Sequence, residues 1–286
     1  MKILKNKRGI IFGALDENSI AWQTALKAHA AGAKFVLTNT EMALRKGDIF
    51  ELAKQCDAEV IAADVTDMDD LEDLFKESMK KLGGKLDFIL HSVGMSPNVR
   101  KKVPYPELNY EYFKKTIDIS ATSLHKVLAT SYKLDPLNEY GSVVAMTYIG
   151  SERQFSSYGD MSQAKAMLES IVRSFGYHYG VHKKVRINSI SQSPTATSAG
   201  KGVGGFDAFF SYADCNSPLG NATAEECAEF CVAMFSDFTK KVTMQNIYHD
   251  GGFSTMGISD KLIGNCFNCK GDCMDETFDK INIKAK

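Results

Sequence analysis

Tyr158 and Lys165 are the two residues of this sequence whose types and spacing most directly suggest chemistry. They are seven positions apart, which is two turns of an α-helix, so both side chains are expected on one helix face. A phenol can donate a hydrogen bond or a proton to a developing oxyanion. A nearby ammonium favours the ionised phenol and can bind the hydroxyls of a cofactor ribose. The alternative is an amphipathic surface helix with a buried tyrosine and a solvated lysine.

A loop that could bind phosphate lies near the start of the chain. Gly13 follows the apolar run 7–12, and Ser19 opens a helical pattern, so residues 13–20 form a turn between a strand and a helix. Backbone N–H groups and the helix dipole at such a turn can bind a pyrophosphate. The usual G-x-G-x-x-G spacing is absent, because Gly13 is the only glycine of this loop and Ser19 occupies the third glycine position. A tight turn that needs one glycine is therefore the alternative.

Two more short segments follow predicted strands. Asp64-Val65 comes after the third strand, and Ser92-Val93-Gly94 comes after the fourth. An aspartate there can accept a hydrogen bond from an adenine amino group, and small residues let a cofactor approach the backbone. The alternative for Asp64 is a helix or turn cap.

These residues are placed by an alternation of strands and helices. Strands are predicted at 7–12, 34–38, 59–63, 86–90, 142–146, 185–190 and 245–249, with helical patterns between them. Asp67 or Asp69 can cap the helix after the third strand, and Thr223 with Glu226 forms a capping box. The pattern predicts an α/β fold, namely a single Rossmann-like, doubly wound parallel sheet of seven strands flanked by helices. Residues 1–257 form one dinucleotide-binding domain, with substrate loops near 95–106 and 191–212. We expect 258–286 to be a mobile C-terminal tail.

Composition excludes several classes of protein. With 44% apolar and 24% charged residues, the 286-residue chain can bury a core and is not disordered. Thirty-four basic and 35 acidic residues leave a net charge of −1, so we expect no nucleic-acid partner. No apolar run reaches the roughly 18 to 20 residues of a membrane span, and the N-terminus lacks a signal-peptide core. These features and seven scattered cysteines predict a cytoplasmic protein without membrane contact.

From about Lys7 to Ser254, the sequence resembles the short-chain dehydrogenase/reductase family and, more closely, its enoyl-acyl carrier protein reductase branch. The residues that carry the resemblance are Gly13 with Ser19-Ile20-Ala21, Asp64-Val65, His91-Ser92-Val93-Gly94, Tyr148-Ile149-Gly150-Ser151-Glu152-Arg153, Tyr158 with Lys165, Pro194 and Asp250-Gly251-Gly252-Phe253-Ser254. Carbonyl-reducing relatives have a serine thirteen residues before the tyrosine, where this chain has Ala145. Enoyl reductases instead have a second tyrosine ten residues before it, and Tyr148 lies at that spacing.

The resemblance implies a reductase domain that reduces trans-2-enoyl thioesters. Hydride passes from the nicotinamide to the β-carbon, and an enolate oxyanion forms at the thioester carbonyl. Tyr158 is expected to hydrogen-bond that oxyanion, and Lys165 to bind the nicotinamide ribose and support the charge. Tyr148 is expected to line the acyl pocket or to assist protonation.

The resemblance also implies the remaining binding residues. Substrate contacts are expected from Met95, Ser96, Tyr148 and Tyr158. Cofactor contacts are expected from Gly13, Ser19, Ile20, Thr40, Asp64, Val65, Ser92, Val93, Gly94, Lys165, Pro194, Thr195, Ala196 and Thr197. Residues 195–199 match a loop that closes over the cofactor and the acyl chain. This chain departs from the family at Ser193, where relatives have a glycine before the proline, at His249, where valine is common, and at Thr40, which replaces a glutamine.

The choice of cofactor is indicated by the residues at the end of the second strand, and the partners are implied by the resemblance. Glu41 after the second strand would repel a 2′-phosphate, which favours NADH over NADPH, although Arg45 and Lys46 could fold back. The expected partners are an acyl carrier protein bearing an enoyl chain and further copies of the chain in a homotetramer. Residues 100–102, Arg-Lys-Lys, are either a solvated loop or a docking site for the acidic carrier.

We expect no metal. The six histidines lack ligand spacing, and Cys266, Cys269 and Cys273 supply only three thiolates. Two other functions remain open at this point, namely a carbonyl (3-ketoacyl) reductase of the same fold and a non-enzymatic dinucleotide sensor. Ala145 and Tyr148 argue against the first, and retention of Tyr158 and Lys165 argues against the second.

Overall fold

A computed structural model describes residues 2–198, 200 and 205–263, and within them one seven-stranded sheet is formed. Its strands are β1 (Arg8–Phe12), β2 (Lys34–Asn39), β3 (Glu59–Ala62), β4 (Leu86–His91), β5 (Leu137–Thr147), β6 (Arg186–Gln192) and β7 (Asn246–His249). The strand order is β3-β2-β1-β4-β5-β6-β7, and every neighbouring pair is parallel. The predicted doubly wound parallel sheet is therefore confirmed.

Helices connect the strands and cover both faces of the sheet. They are α1 (Ile20–Ala30), α2 (Glu41–Lys46), α3 (Ile49–Cys56), α4 (Met68–Leu82), α5 (Pro97–Arg100), α6 (Tyr110–Ile117), α7 (Ser123–Leu134), α8 (Met161–Lys183), α9 (Phe206–Asn216) and α10 (Ala224–Phe235). A π-helical turn, Asp118–Thr122, joins α6 to α7, and 3₁₀ turns lie at Tyr105–Glu107, Ile149–Ser151, Asp237–Thr239 and Phe253–Thr255. Among the described residues, no helix is both long and apolar enough to cross a bilayer.

Residues predicted to cap helices form cap hydrogen bonds in the structure. The carboxylate of Asp67, rather than that of Asp69, accepts the backbone N–H groups that open α4. Thr223 and Glu226 form the predicted capping box of α10. Each cap satisfies N–H groups that a helix start leaves without partners, so these helix starts could be assigned from local sequence.

The core consists of two apolar layers, one on each face of the sheet. Side chains alternate along the strands, so Ile11 packs on one face with Trp22, while Ile10 packs on the other with Phe75. Burial on both faces explains why the central strands read as nearly continuous apolar runs. Strands β1 to β3 are added toward one edge of the sheet and β4 to β7 toward the other. The switch point between β1 and β4 therefore leaves a crevice at the carboxyl ends of the strands.

One predicted strand boundary differs from the structure by more than two residues. Strand β5 begins at Leu137 rather than at Ser142, because Leu137 pairs with Leu86 before an irregularity in the register. The segment after Gly257 stays attached to α9, since the Ser259 backbone N–H donates to Asn216 Oδ1 at 2.8 Å. Most of the predicted tail, with Cys266, Cys269 and Cys273, lies outside the described residues, and its mobility stays a prediction.

Candidate active site

Gly13 brings the ends of β1 and β4 together. Its φ is +94°, and a Cβ at this position would lie 2.1 Å from the Ser92 carbonyl oxygen. Only glycine tolerates both the left-handed backbone and this approach. The close contact places Gly13 beside residues 92–94, so two of the predicted cofactor-binding segments share one crevice.

The amino end of α1 is open to an anion. Ser19 caps the helix through its Oγ, which accepts the Trp22 N–H at 3.3 Å and donates to the Asp16 carbonyl at 2.8 Å. The first turn, which starts at Ile20, contains no acidic side chain. A helix start of this kind favours a phosphate, because its N–H groups and dipole are positive.

Asp64 and Thr40 lie at the ends of neighbouring strands. One oxygen of Asp64 accepts the Thr66 N–H and hydroxyl at 2.8 and 2.7 Å, which is the turn-capping role that was the alternative. The Thr40 hydroxyl caps α2 by accepting the Ala43 N–H. Both side chains thus have local structural roles, and their predicted cofactor contacts stay predictions, as does that of buried Val65.

Lys165 is buried against the end of β5, with 7% of its surface exposed. Its Nζ donates to the Met146 carbonyl at 2.8 Å, and a Cβ built on Gly94 would lie 3.6 Å from that nitrogen. Burial lowers the pKa of Lys165 to about 8, and the nearby Glu169 carboxylate opposes that shift. The alternative of a solvated surface lysine is therefore wrong.

Tyr158 reaches the site from a different element than expected. The spacing predicted one helix for both residues, but α8 begins only at Met161, and Tyr158 lies in the turn before it. Gly159, with φ of +51°, interrupts a continuous helix there. Burial and the Glu169 charge raise the pKa of Tyr158, so the phenol stays protonated rather than ionised. It is therefore suited to donate a hydrogen bond to an oxyanion and not to act as a phenolate base.

Tyr148 and Tyr158 form the start of an aromatic wall. Their ring centroids are 5.1 Å apart at 66°, a nearly edge-on arrangement. The wall continues through Phe155, Phe209, Tyr212 and Phe253. The buried Tyr148 hydroxyl has no hydrogen-bond partner among the described residues, and burial raises its pKa. These rings can line a pocket for an acyl chain, and the Tyr148 hydroxyl is available as a donor.

Two buried groups near Lys165 were not predicted as site residues. Glu169, one helical turn further along α8, accepts the Thr147 hydroxyl at 2.7 Å, and burial raises the pKa of its carboxyl. His91 Nε2 lies 3.0 Å from Ser123 Oγ, and burial lowers the pKa of its imidazole to about 3. His91 is therefore a neutral ring beneath the site. The signal for Glu169 was its i+4 spacing from Lys165 on an otherwise apolar helix face.

The predicted substrate residues Met95 and Ser96 are held by side chains that were not singled out. The backbone N–H of Met95 donates to Ser120 Oγ at 2.9 Å, and Ser120 belongs to the π-helical turn. The Ser96 hydroxyl donates to Asp160 at 2.5 Å and accepts the Val99 N–H. Because this hydroxyl is engaged, a substrate contact by Ser96 would come from its backbone.

The described part of the loop after β6 contacts the Gly13 loop. Gln192 Oε1 lies 2.8 Å from His249 Nδ1, and Gln192 Nε2 donates to Thr195 Oγ1 at 3.2 Å. Ser198 Oγ donates to Asp16 Oδ2 at 2.6 Å, which connects this loop to the Gly13 loop. Pro194, Ala196 and Thr197 lie between these anchors, so the predicted cofactor loop is adjacent to the predicted phosphate loop.

Metal chemistry has no support in the described part of the chain. No group of three or more histidine, cysteine, aspartate or glutamate side chains there could hold an ion. The three cysteines of the tail lie outside those residues. The absence of a metal stays a prediction for the whole chain.

The parallel sheet, the crevice at its switch point, the buried lysine and the two phenols define a dinucleotide-dependent reductase of the short-chain type. The family model described as enoyl-(acyl carrier protein) reductase matches residues 13–254, and the chain belongs to this family, which confirms the predicted resemblance.

Relatives and solved structures agree with this assignment. The enoyl-[acyl-carrier-protein] reductase [NADH] 1 of Rhizobium meliloti is 31% identical over 258 residues, which are 90% of this chain and 93% of that protein. The corresponding FabI enzyme of Aquifex aeolicus is 33% identical over 262 residues, 90% of this chain and 95% of the relative. The crystal structure of the FabI-NADH complex from Alistipes finegoldii is 53% identical, covers 91% of this chain and 92% of its own, and has a TM-score of 0.90.

Proposed function

We propose that this chain reduces the trans-2 double bond of enoyl-acyl carrier protein thioesters by hydride transfer from NADH in fatty-acid synthesis. The observation that carries the proposal is the arrangement at the end of β5, where the buried Lys165 donates to the Met146 carbonyl and the Tyr148 ring packs on that of Tyr158. The names of the relatives agree with this activity.

The site residues fit a nicotinamide dinucleotide. Gly13 leaves no side chain between β1 and the Ser92 carbonyl, and the start of α1 can bind a pyrophosphate. Lys165 Nζ uses one of its three hydrogens on Met146, which leaves donors for the ribose hydroxyls. When bound, NADH supplies the hydride for the β-carbon of the substrate.

Tyr158 donates a hydrogen bond from its phenolic hydroxyl to the enolate oxyanion of the thioester. Its raised pKa keeps that hydrogen in place, and the buried ammonium of Lys165 stabilises the negative charge as it develops. Tyr148 lines the acyl pocket and offers a second donor for protonation. Phe155 and Phe209 pack on the Tyr148 ring, and these apolar surroundings strengthen a hydrogen bond from its buried hydroxyl.

The cofactor preference for NADH is supported at the end of β2. Glu41 is exposed there, and Arg45 Nη2 lies 3.0 Å from its carboxylate in an i,i+4 pair. Arg45 is thus engaged by Glu41 rather than folded back toward a 2′-phosphate. Salt at the surface weakens such a pair, so the preference is expected to be moderate.

The partners we propose are an acyl carrier protein and three further copies of this chain. Residues 100–102 lie at the end of α5, and Arg100 and Lys102 are exposed and have no ion-pair partner among the described residues. Their charge fits an acidic carrier. For the homotetramer, exposed apolar side chains of α8, Met167, Tyr177 and Val181, support contacts through the long helices. We place the enzyme in the cytoplasm, which agrees with the free cysteines 56, 215, 227 and 231.

Oxidation of NADH by crotonyl-thioester, compared with acetoacetyl-thioester, tests the reaction. Turnover of crotonyl-thioester alone is expected, because Ala145 is buried on β5 where a carbonyl reductase of this fold has its serine. Turnover of acetoacetyl-thioester alone would identify a carbonyl reductase. Turnover of neither, with NADH still bound, would identify a dinucleotide sensor.

A further inference from the structure

Asp160 is a buried carboxylate with an unusual set of partners. It is 0% exposed and occupies the N-cap position of α8, yet its side chain does not cap that helix. An N-cap aspartate ordinarily accepts the N–H groups of the first turn. The carboxylate of Asp160 is therefore used elsewhere.

Its two oxygens bind three side chains from the segment that includes the predicted substrate loop. Ser96 Oγ donates to Oδ1 at 2.5 Å, and Asn98 Nδ2 donates to Oδ2 at 2.8 Å. Thr116 Oγ1 lies 2.9 Å from Oδ2 and 2.9 Å from the Tyr112 carbonyl oxygen, so its one hydrogen is shared between these two acceptors. All three side chains are buried. Among the described residues, no lysine, arginine or histidine lies within 4.0 Å of this carboxylate, so neutral donors stabilise it.

The same network orders the chain between the two anchors. The amide of Asn98 accepts the Asn109 N–H and donates to the Asn109 carbonyl, both at 3.1 Å. Ser96 Oγ also caps α5 by accepting the Val99 N–H at 3.0 Å. Hydrogen bonds through Ser96 and Asn98 thus connect helix α5 and the start of α6 to Asp160.

Asp160 also lies between the two catalytic side chains in sequence. Tyr158 is two residues before it and Lys165 is five residues after it. A Cβ built on the intervening Gly159 would lie 3.2 Å from a methyl group of Val99. The carboxylate therefore connects the turn that carries Tyr158 to the segment that carries Met95 and Ser96.

We propose that Asp160 is a positioning residue, which fixes the substrate-side segment 95–116 against the turn that presents Tyr158 to the thioester. The inference rests on the proposed function. A buried carboxylate bound by neutral donors costs solvation energy, and the cost is offset only while all of its partners stay in place. The network consequently favours one arrangement of the segment over looser ones.

The test uses the full chain with four substitutions. Asp160→Ala removes the acceptor, Asp160→Asn keeps its shape, and Thr116→Val removes one partner with little change in volume. Thr130→Val is the matched control, because Thr130 is another buried threonine, on α7, and its hydroxyl lies 3.7 Å from Met68 Sδ. For each variant, crotonyl-thioester kinetics at saturating NADH, NADH fluorescence titration and Tm are measured.

Asp160→Ala is expected to lower kcat/KM for crotonyl-thioester by at least about tenfold, mainly through KM, and Thr116→Val by about threefold to tenfold. The Kd for NADH is expected to stay within about twofold. In the double variant, Thr116→Val is expected to lower kcat/KM much less than it does in wild type, because the two residues act as a pair. The kcat/KM of Asp160→Asn is expected to lie between that of wild type and that of Asp160→Ala.

Two results would overturn the inference. One is a lower Tm with unchanged kcat/KM, which a merely structural carboxylate would give. The other is an equal loss of NADH and substrate binding, which would indicate general damage to α8.

Limited trypsin digestion separates this inference from the proposed function. Residues 100–102 supply cleavage sites inside the fastened segment. Cleavage there should be faster in Asp160→Ala than in wild type and unchanged in Thr130→Val. If wild type does not reduce crotonyl-thioester but Asp160→Ala is still cleaved faster, the reductase assignment is wrong and the anchoring of the segment is supported. Equal cleavage of Asp160→Ala and wild type would refute the anchoring.

Discussion

Replacement of Tyr158 by phenylalanine removes one hydroxyl and leaves the ring packing intact. The ring lies 5.1 Å from that of Tyr148, and a Cβ on Gly150 would lie 2.7 Å from it, so little space exists for rearrangement. No described residue accepts a hydrogen bond from the Tyr158 hydroxyl, so the substitution breaks no bond within the described part of the protein. Stability is therefore expected to change little.

The loss of the Tyr158 hydroxyl should instead slow the chemical step. A preorganised donor to a developing oxyanion contributes a factor of about 10² to 10³ in rate, which corresponds to about 2.7 to 4 kcal/mol. Tyr158→Phe is expected to lower kcat by that factor while the KM for NADH changes little.

Crotonyl-thioester kinetics and NADH titration check this expectation, with Tyr148→Phe as the matched control. Tyr148 carries the same group in the same aromatic wall, and its hydroxyl also lacks a partner among the described residues. A smaller loss is expected from Tyr148→Phe. If Tyr148→Phe costs more than Tyr158→Phe, Tyr148 is the dominant donor and the assignment of the two tyrosines is wrong.

Three further predictions concern the cofactor. Lys165→Ala should slow turnover and raise the Kd for NADH, and unchanged NADH binding by fluorescence would contradict the ribose assignment. The folded pKa of Lys165, about 8, lies below its ordinary value of 10.5, so the ammonium is lost as pH rises through about 8. The pH profile of kcat/KM for NADH should fall above that pH in wild type, and a flat profile to pH 9.5 would refute this role. NADH should give a higher kcat/KM than NADPH, and Glu41→Gln should narrow the difference; a wild-type preference for NADPH would refute the reasoning.

Much of the fold could be predicted from sequence because its signals are local. Apolar strand runs, the Thr223–Glu226 capping box and the strand-loop-helix order around Gly13 each depend on residues within a few positions of one another. Parallel strands then place their carboxyl ends at one edge of the sheet, which brings Gly13 after β1, Asp64 after β3 and Ser92 after β4 to that edge. The candidate tyrosines and lysine were predictable through their spacing and the family resemblance.

Tertiary structure decided the environment of those residues. Burial makes Lys165 a weaker base and Tyr158 a weaker acid than they are in water, and burial depends on which distant segments pack over a side chain. The interruption at Gly159 separated Tyr158 from α8, contrary to the helical spacing. The role of Asp160 also could not be predicted from sequence, since its type and position indicate a helix cap. Its carboxylate instead binds Ser96, 64 positions away, because the folded chain brings those donors closer than the N–H groups of its own helix.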